Sequence, residues 1–156
     1  MCFSCSEKQA FRLELPENAD NLIAGDSVKT WMLASRYNDG TRMNMGDCFI
    51  SYRISYKQNK TFADNNGESS SCGPTLVGSW YAFQNDNGSF IKWESPQLPE
   101  LLNIEETHKY FRLLTLNNDS LVVSYKHVQY GNKERTIVDY LVPEGSSVPD
   151  RYFHNN

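Results

Sequence analysis

Phe49-Ile50-Ser51-Tyr52-Arg53-Ile54-Ser55-Tyr56-Lys57 decides the fold class of this chain. Ile50, Tyr52, Ile54 and Tyr56 fall on one side of an extended backbone, and Ser51, Arg53, Ser55 and Lys57 on the other. Side chains alternate between the two faces of a strand, so this spacing predicts a half-buried strand over 49–57. Similar segments recur on both sides of it. Residues 30–37 form a strand that ends at Asn38-Asp39-Gly40, and Asp-Gly between apolar runs is a hairpin signal. Residues 60–63 make a short neighbour, and 64–71 are loop. Residues 76–84 lead through the turn Asn85-Asp86-Asn87-Gly88 into a strand over 89–94. Strands over 109–116, 121–130 and 136–142 are separated by Asn117-Asn118-Asp119 and Tyr130-Gly131-Asn132. The segment 96–103 holds two prolines and reads as a single helical turn acting as a cap. About seven or eight strands at close spacing, with no long helical period, predict an all-β antiparallel meander, as a sandwich or a closed barrel. Closure removes the exposed edges that an open sheet offers to other chains.

With 156 residues the chain has the length of one domain. Its 39% hydrophobic and 13% aromatic content is enough apolar surface to offset chain entropy, which argues against disorder over most of it. The net charge of −4, with no Lys/Arg block, disfavours a nucleic-acid partner, because phosphate contacts need concentrated positive charge. The expected organisation is a polar N-terminal tether and entry segment over 1–27, the β-domain over 28–143, and a polar tail over 144–156 that wraps the outside.

The four cysteines divide into two pairs. Cys2 and Cys5 have C-x-x-C spacing, but no second ligand pair or helix start accompanies them, so zinc and redox readings lack their context. Phe3-Ser4-Cys5 resembles the end of a bacterial lipobox, with a small residue before the acylated cysteine. Cys5 is the expected lipidation site, Cys2 the alternative, and two spare cysteines on a frayed end the plain reading. Cys48 and Cys72 each sit beside turn formers, in Gly46-Asp47-Cys48 and Cys72-Gly73-Pro74. A disulfide between them fits an exported protein, and two reduced core cysteines are the alternative.

The ordered set Thr30-Trp31-x-Leu33, Gly46-Asp47-Cys48, Thr61-Phe62, Cys72, Gly78-Ser79-Trp80 and 114–123 resembles the lipocalin-like domain of small lipoproteins from Bacteroidetes. The resemblance covers roughly 28–142. It implies a small up-and-down antiparallel barrel behind a lipid anchor, and it implies no enzyme. Lipocalins proper carry Gly-x-Trp on the first strand, whereas Lys29 stands at that glycine position. Trp31 is then expected to plug one barrel end, covered by an arginine such as Arg135.

Motifs for chemistry are sparse. His108, His127 and His154 show no mutual ligand spacing, so no metal site is expected. Gly78-Ser79-Trp80 lacks the flanking pattern of a nucleophile elbow. Adjacent Glu105 and Glu106 diverge in direction and make a poor acid/base pair. No catalytic residue and no cofactor are assigned. Trp31, Tyr52, Tyr56, Trp80 and Tyr125, with Phe83, Trp93 and Tyr140, are the aromatics that either fill a small barrel or line a ligand cavity; filling is the default at about eight strands. Trp93, Leu98, Leu101 and Leu102 form a candidate partner-facing patch, or else a loop tucked over the barrel mouth.

These readings lead to a non-enzymatic lipoprotein of the outer membrane, on its periplasmic or cell-surface face, held by the N-terminal lipid and serving as an accessory subunit of an envelope assembly. The alternative is a carrier for a small apolar or aromatic ligand. A packed interior with an exposed apolar patch favours the first, and a cavity lined by Tyr and Trp favours the second.

Overall fold

The computed structural model describes residues 12–129 and 133–153. Its strands are β1 (Val28–Asn38), β2 (Thr41–Arg42), β3 (Arg53–Lys57), β4 (Thr61–Asp64), β5 (Val77–Asn85), β6 (Gly88–Glu94), β7 (His108–Leu116), β8 (Leu121–Gln129) and β9 (Lys133–Pro143). Short helices α1 (Ala19–Ala24), α2 (Asp47–Ser51) and α3 (Leu98–Leu102) accompany them. From β3 to β9 each strand pairs antiparallel with the next, and β9 returns to pair with β1. This closes an up-and-down barrel of eight strands, with β2 a two-residue extension along β1. β1 does double service: Val28–Met32 pair with β3, while Trp31–Asn38 pair with β9. The predicted turn at Asp39-Gly40 forms, and both residues take positive φ, 47° and 83°, as a tight β1–β2 hairpin requires.

Strict alternation sends Ile54 and Tyr56, Ile91 and Trp93, and Ile137 and Leu141 inward, and all six are buried. Two bulges shift the phase elsewhere. In β1 the pairing steps from Leu33↔Leu141 to Ser35↔Tyr140, and in β7 from Leu113↔Val123 to Thr115↔Val122. A bulge adds one residue to one strand, so the inward set on β1 runs Trp31, Leu33 and then Arg36. On β7 it runs Lys109, Phe111, Leu113 and then Leu116.

One expectation needs correction, and two others gain detail. The first half of the 49–57 strand is helix: Phe49 and Ile50 donate their amides to Gly46 O at 3.0 Å. A longer β3 would need an edge of β1 that is already taken. Met43 N donates to Arg36 O, and the Arg151 guanidinium donates to Leu33 O. The described part of the 1–27 segment is an entry segment that carries the short helix α1. α1 buries Ala19, Leu22, Ile23 and Ala24 against the core, with Leu13 and Leu15 packed beside them, and closes one barrel end. The tail does not merely wrap the outside, because Arg151 inserts with only 9% exposure and also reaches Ile50 O at 2.6 Å.

Candidate functional site: a half-filled barrel

The barrel interior is divided. Toward α1 it is solid. Trp31 is wholly buried and donates its indole N–H to Ile23 O at 2.9 Å. Lys29 lies over its ring at 4.2 Å, and the Lys29 ammonium bonds Leu22 O and Asn118 O. The residue in place of the lipocalin glycine is thus the cation that covers Trp31. Arg135, the arginine expected there, is instead paired with Asp39 at 2.9 Å. Trp80 stacks edge-on to Tyr56 at 5.4 Å, and Tyr56 Oη accepts from the Trp93 indole N–H at 3.0 Å. Trp31, Tyr56 and Trp80 therefore fill the core.

Beyond this layer the barrel holds a cavity of about 400 Å³. Tyr52, Trp93, Phe111 and Tyr125 supply aromatic walls, and Leu76 and Ile137 supply aliphatic ones. Cys48 and Phe49 from α2, Cys72 from the facing loop and Leu102 from α3 also line it. The Cys48–Cys72 disulfide is present and joins α2 to that loop across a sequence separation of 24. Closing a loop of that length contributes about 3 kcal/mol in the chain-entropy model, and it holds two parts of the lining together.

Charged residues enter the same space. Arg36 and Asp139 face each other across the β1–β9 ladder and form a bidentate pair, Nε to Oδ1 at 2.6 Å and Nη2 to Oδ2 at 2.9 Å. The Tyr125 hydroxyl donates to Asp139 Oδ2 at 3.1 Å. Burial works against the Arg36 charge, but the Asp139 carboxylate outweighs it and raises the guanidinium pKa further. Burial raises the Tyr125 phenol, with Asp139 adding to it. Asp64, raised by burial, accepts from the amides of Asn66 and Leu76. His127 is pushed below the usual imidazole range by burial and then by Lys109 and Arg36.

Lys109 differs from its neighbours. Its ammonium lies 4.4 Å from the Tyr125 ring centroid and 5.6 Å from that of Phe111. Among the described residues it has no carboxylate within ion-pair distance and no hydrogen-bond acceptor. Burial, with a contribution from Arg36, lowers its pKa to about 8, and Asp139 opposes that shift. The Tyr52 hydroxyl likewise makes no hydrogen bond with a described residue, and burial raises its pKa well above the ordinary value. The cavity thus presents aromatic walls, the Arg36–Asp139 ion pair, the Asp64 carboxylate, and three donors, on Lys109, Tyr52 and His127, with no described acceptor.

Of the residues singled out from sequence, Tyr52, Trp93 and Tyr125 meet at this cavity. Phe83 and Tyr140 do not: Phe83 stacks on Phe90 outside the barrel, and Tyr140 is 42% exposed. Of the two readings for Trp93, Leu98, Leu101 and Leu102, the packing favours the loop tucked over the barrel mouth. Trp93 points into the barrel and Leu98 is wholly buried, while Leu101 and Leu102 pack against the core, so α3 is tucked over the barrel. Cys2 and Cys5 lie outside the described residues. Arg36, Lys109 and Asp139 were not anticipated. The alternations Lys109-x-Phe111-x-Leu113 and Ile137-x-Asp139-x-Leu141 place two of them on apolar faces. Arg36 is out of phase with Trp31 and Leu33, and only the bulge turns it inward. Among the described residues no group of three His, Cys, Asp or Glu is placed to hold a metal ion.

Comparison with known proteins adds structural likeness at low identity. No family model matches the chain, and no curated protein matches it. A lipocalin-like protein from Bacteroides uniformis ATCC 8492 superposes with a TM-score of 0.49 at 14% identity, over 78% of this chain and 97% of that one. A bovine odorant binding protein in complex with a selenium-containing odorant gives 0.42 at 13%, over 88% and 80%. An uncharacterized protein from Bacteroides eggerthii DSM 20697 gives 0.43 at 15%, over 75% and 99%.

Proposed function

We propose that this protein is a non-enzymatic binding protein that carries a small, largely apolar or aromatic molecule in the open half of its barrel. The observation that carries this reading is the cavity of about 400 Å³ between Trp93, Phe111, Tyr125 and Tyr52. That volume lies in the range of small-molecule sites, and aromatic walls with a few placed polar groups are what such sites use. In the patch on which a partner-facing role rested, Trp93 and Leu98 are buried and Leu101 and Leu102 partly so, which favours the carrier reading over the subunit reading. N-phenyl-1-naphthylamine, a neutral aromatic probe that fluoresces in apolar surroundings, is expected to bind saturably at about one per chain and to quench Trp93. Ile137→Trp, which fills the cavity from β9, is expected to abolish binding while the far-UV spectrum is retained. Unsaturable fluorescence, or equal binding by the filled variant, would sink the carrier reading.

The same protein is proposed to work in a bacterial envelope, tethered to the outer membrane through a lipid on Cys5, or on Cys2, within reach of an envelope protein partner. The support is the lipobox-like Phe3-Ser4-Cys5 together with a disulfide, which persists in oxidising compartments. Several acyl chains, as in a mature lipoprotein, would hold it stably. Cys5→Ser, expressed with an export signal, is expected to move the protein from the membrane to the soluble fraction. Retention by the double variant Cys2→Ser/Cys5→Ser would refute the anchor.

A further inference from the structure

We propose that the carried molecule is an amphiphile with one anionic head, a carboxylate or sulfonate, and that the Lys109 ammonium receives this head while Trp93, Phe111 and Tyr125 hold the body. The inference rests on the carrier reading above and names the ligand class for that cavity.

Three observations support it. Lys109 is a cation on the cavity wall of the barrel, with the Tyr125 and Phe111 rings beside its ammonium and no described carboxylate in ion-pair contact. The Lys109 ammonium faces the open cavity without a protein acceptor, so an anionic group that enters can take the place of solvent there. Both Asp139 oxygens are engaged by Arg36 and one also accepts from Tyr125, so Asp139 acts on Lys109 only at a distance and makes no direct bond to it. The Tyr52 hydroxyl is a second donor on the same cavity, also without an acceptor. An acid head brings several acceptor lone pairs, which matches an ammonium and a phenol in need of acceptors. The rings that already contact the Lys109 ammonium would flank such a head, and the apolar body would lie along Trp93 and Phe111.

Titration supports the same reading. Lys109, lowered to about 8 by burial, is still largely protonated at neutral pH. The titratable and charged groups that line the cavity with it are Arg36 from β1, Tyr52 beside β3, Asp64 from β4, Tyr125 and His127 from β8, and Asp139 from β9. Burial lowers His127, and Asp139 raises Arg36, so Lys109 is the cation of this set whose positive charge is lost between about pH 7 and about pH 10.

The test compares two probes that differ by one sulfonate, 1-anilinonaphthalene-8-sulfonate and N-phenyl-1-naphthylamine, on the full chain and on Lys109→Met. The sulfonate is ionised throughout the pH range used. The anionic probe is expected to bind about tenfold more tightly than the neutral one at about pH 7. Lys109→Met is expected to remove that preference by weakening the anionic probe, and a retained far-UV spectrum shows that the variant is folded. Raising the pH to about 10 should weaken the anionic probe alone. If both probes bind equally, or if the preference survives Lys109→Met, the anionic-head assignment is overturned and the carrier reading stands. If neither probe binds saturably, both are overturned.

Discussion

Asp139→Ala is expected to lower the unfolding free energy by about 3–5 kcal/mol, as the removal of one partner from a buried ion pair does. The carboxylate is 7% exposed and holds three hydrogen bonds, two from Arg36 and one from the Tyr125 hydroxyl. Without it, a guanidinium that stays protonated at any ordinary pH is left among the rings of Phe49 and Tyr125, and the Tyr125 hydroxyl loses its acceptor. The size of the loss comes from that abandoned charge more than from the attraction between the pair. The double variant Arg36→Met/Asp139→Leu, which replaces the pair with apolar groups, is therefore expected to recover most of the stability or to exceed that of the original. Urea denaturation checks both, with the midpoint moving at constant slope. A loss below about 1 kcal/mol for Asp139→Ala would mean that water reaches Arg36 and that the pair is not buried in solution.

Trp31→Ala is expected to cost about 3–5 kcal/mol, the range for deleting a large aromatic side chain from a core. Its indole fills the α1 end of the barrel with no exposed surface and anchors the helix through Ile23 O. Lys29 would lose the ring it covers. Because α1 has only 6 residues, it depends on this packing and not on intrinsic helix stability. Hydrogen exchange is the discriminating measurement. Amides of α1 should lose protection far more than those of the β8–β9 pairing on the cavity side. Uniform loss across the barrel would mean that Trp31 belongs to one cooperative core and not to an end plug. Trp31→Phe keeps most of the volume and drops the indole N–H, so its cost should be nearer the 1–3 kcal/mol of an unsatisfied buried acceptor.

Both variants probe the division of the barrel, and that division was only partly legible in the amino-acid order. Period-2 alternation marks β6 and β9 correctly, because both faces of those strands see one environment along their whole length. The same rule misreads 49–51, where Phe49 and Ile50 pack, partly buried, from a helical turn and not from a strand. A short apolar stretch satisfies either period, and what settled it was the occupied edge of β1. The stretch Leu98–Leu102 shows the converse. It reads equally as an exposed patch or a cap, and the barrel mouth beneath it decides for the cap.

The amino-acid sequence by itself determined the all-β class, the turns that space the strands, and the pairing expected of Cys48 with Cys72. Those follow from local chemistry: which residues alternate, which permit a tight turn, and which can cross-link. Only the tertiary structure decided that the barrel is filled at one end and open at the other. That outcome depends on the two bulges, each of which changes the phase of a strand and so the face its later residues take. The bulge in β1 brings Arg36 opposite Asp139, where the alternation upstream of it would have sent Arg36 outward. A bulge is set by how two strands from distant parts of the chain fit each other, and no short stretch of sequence contains that fit.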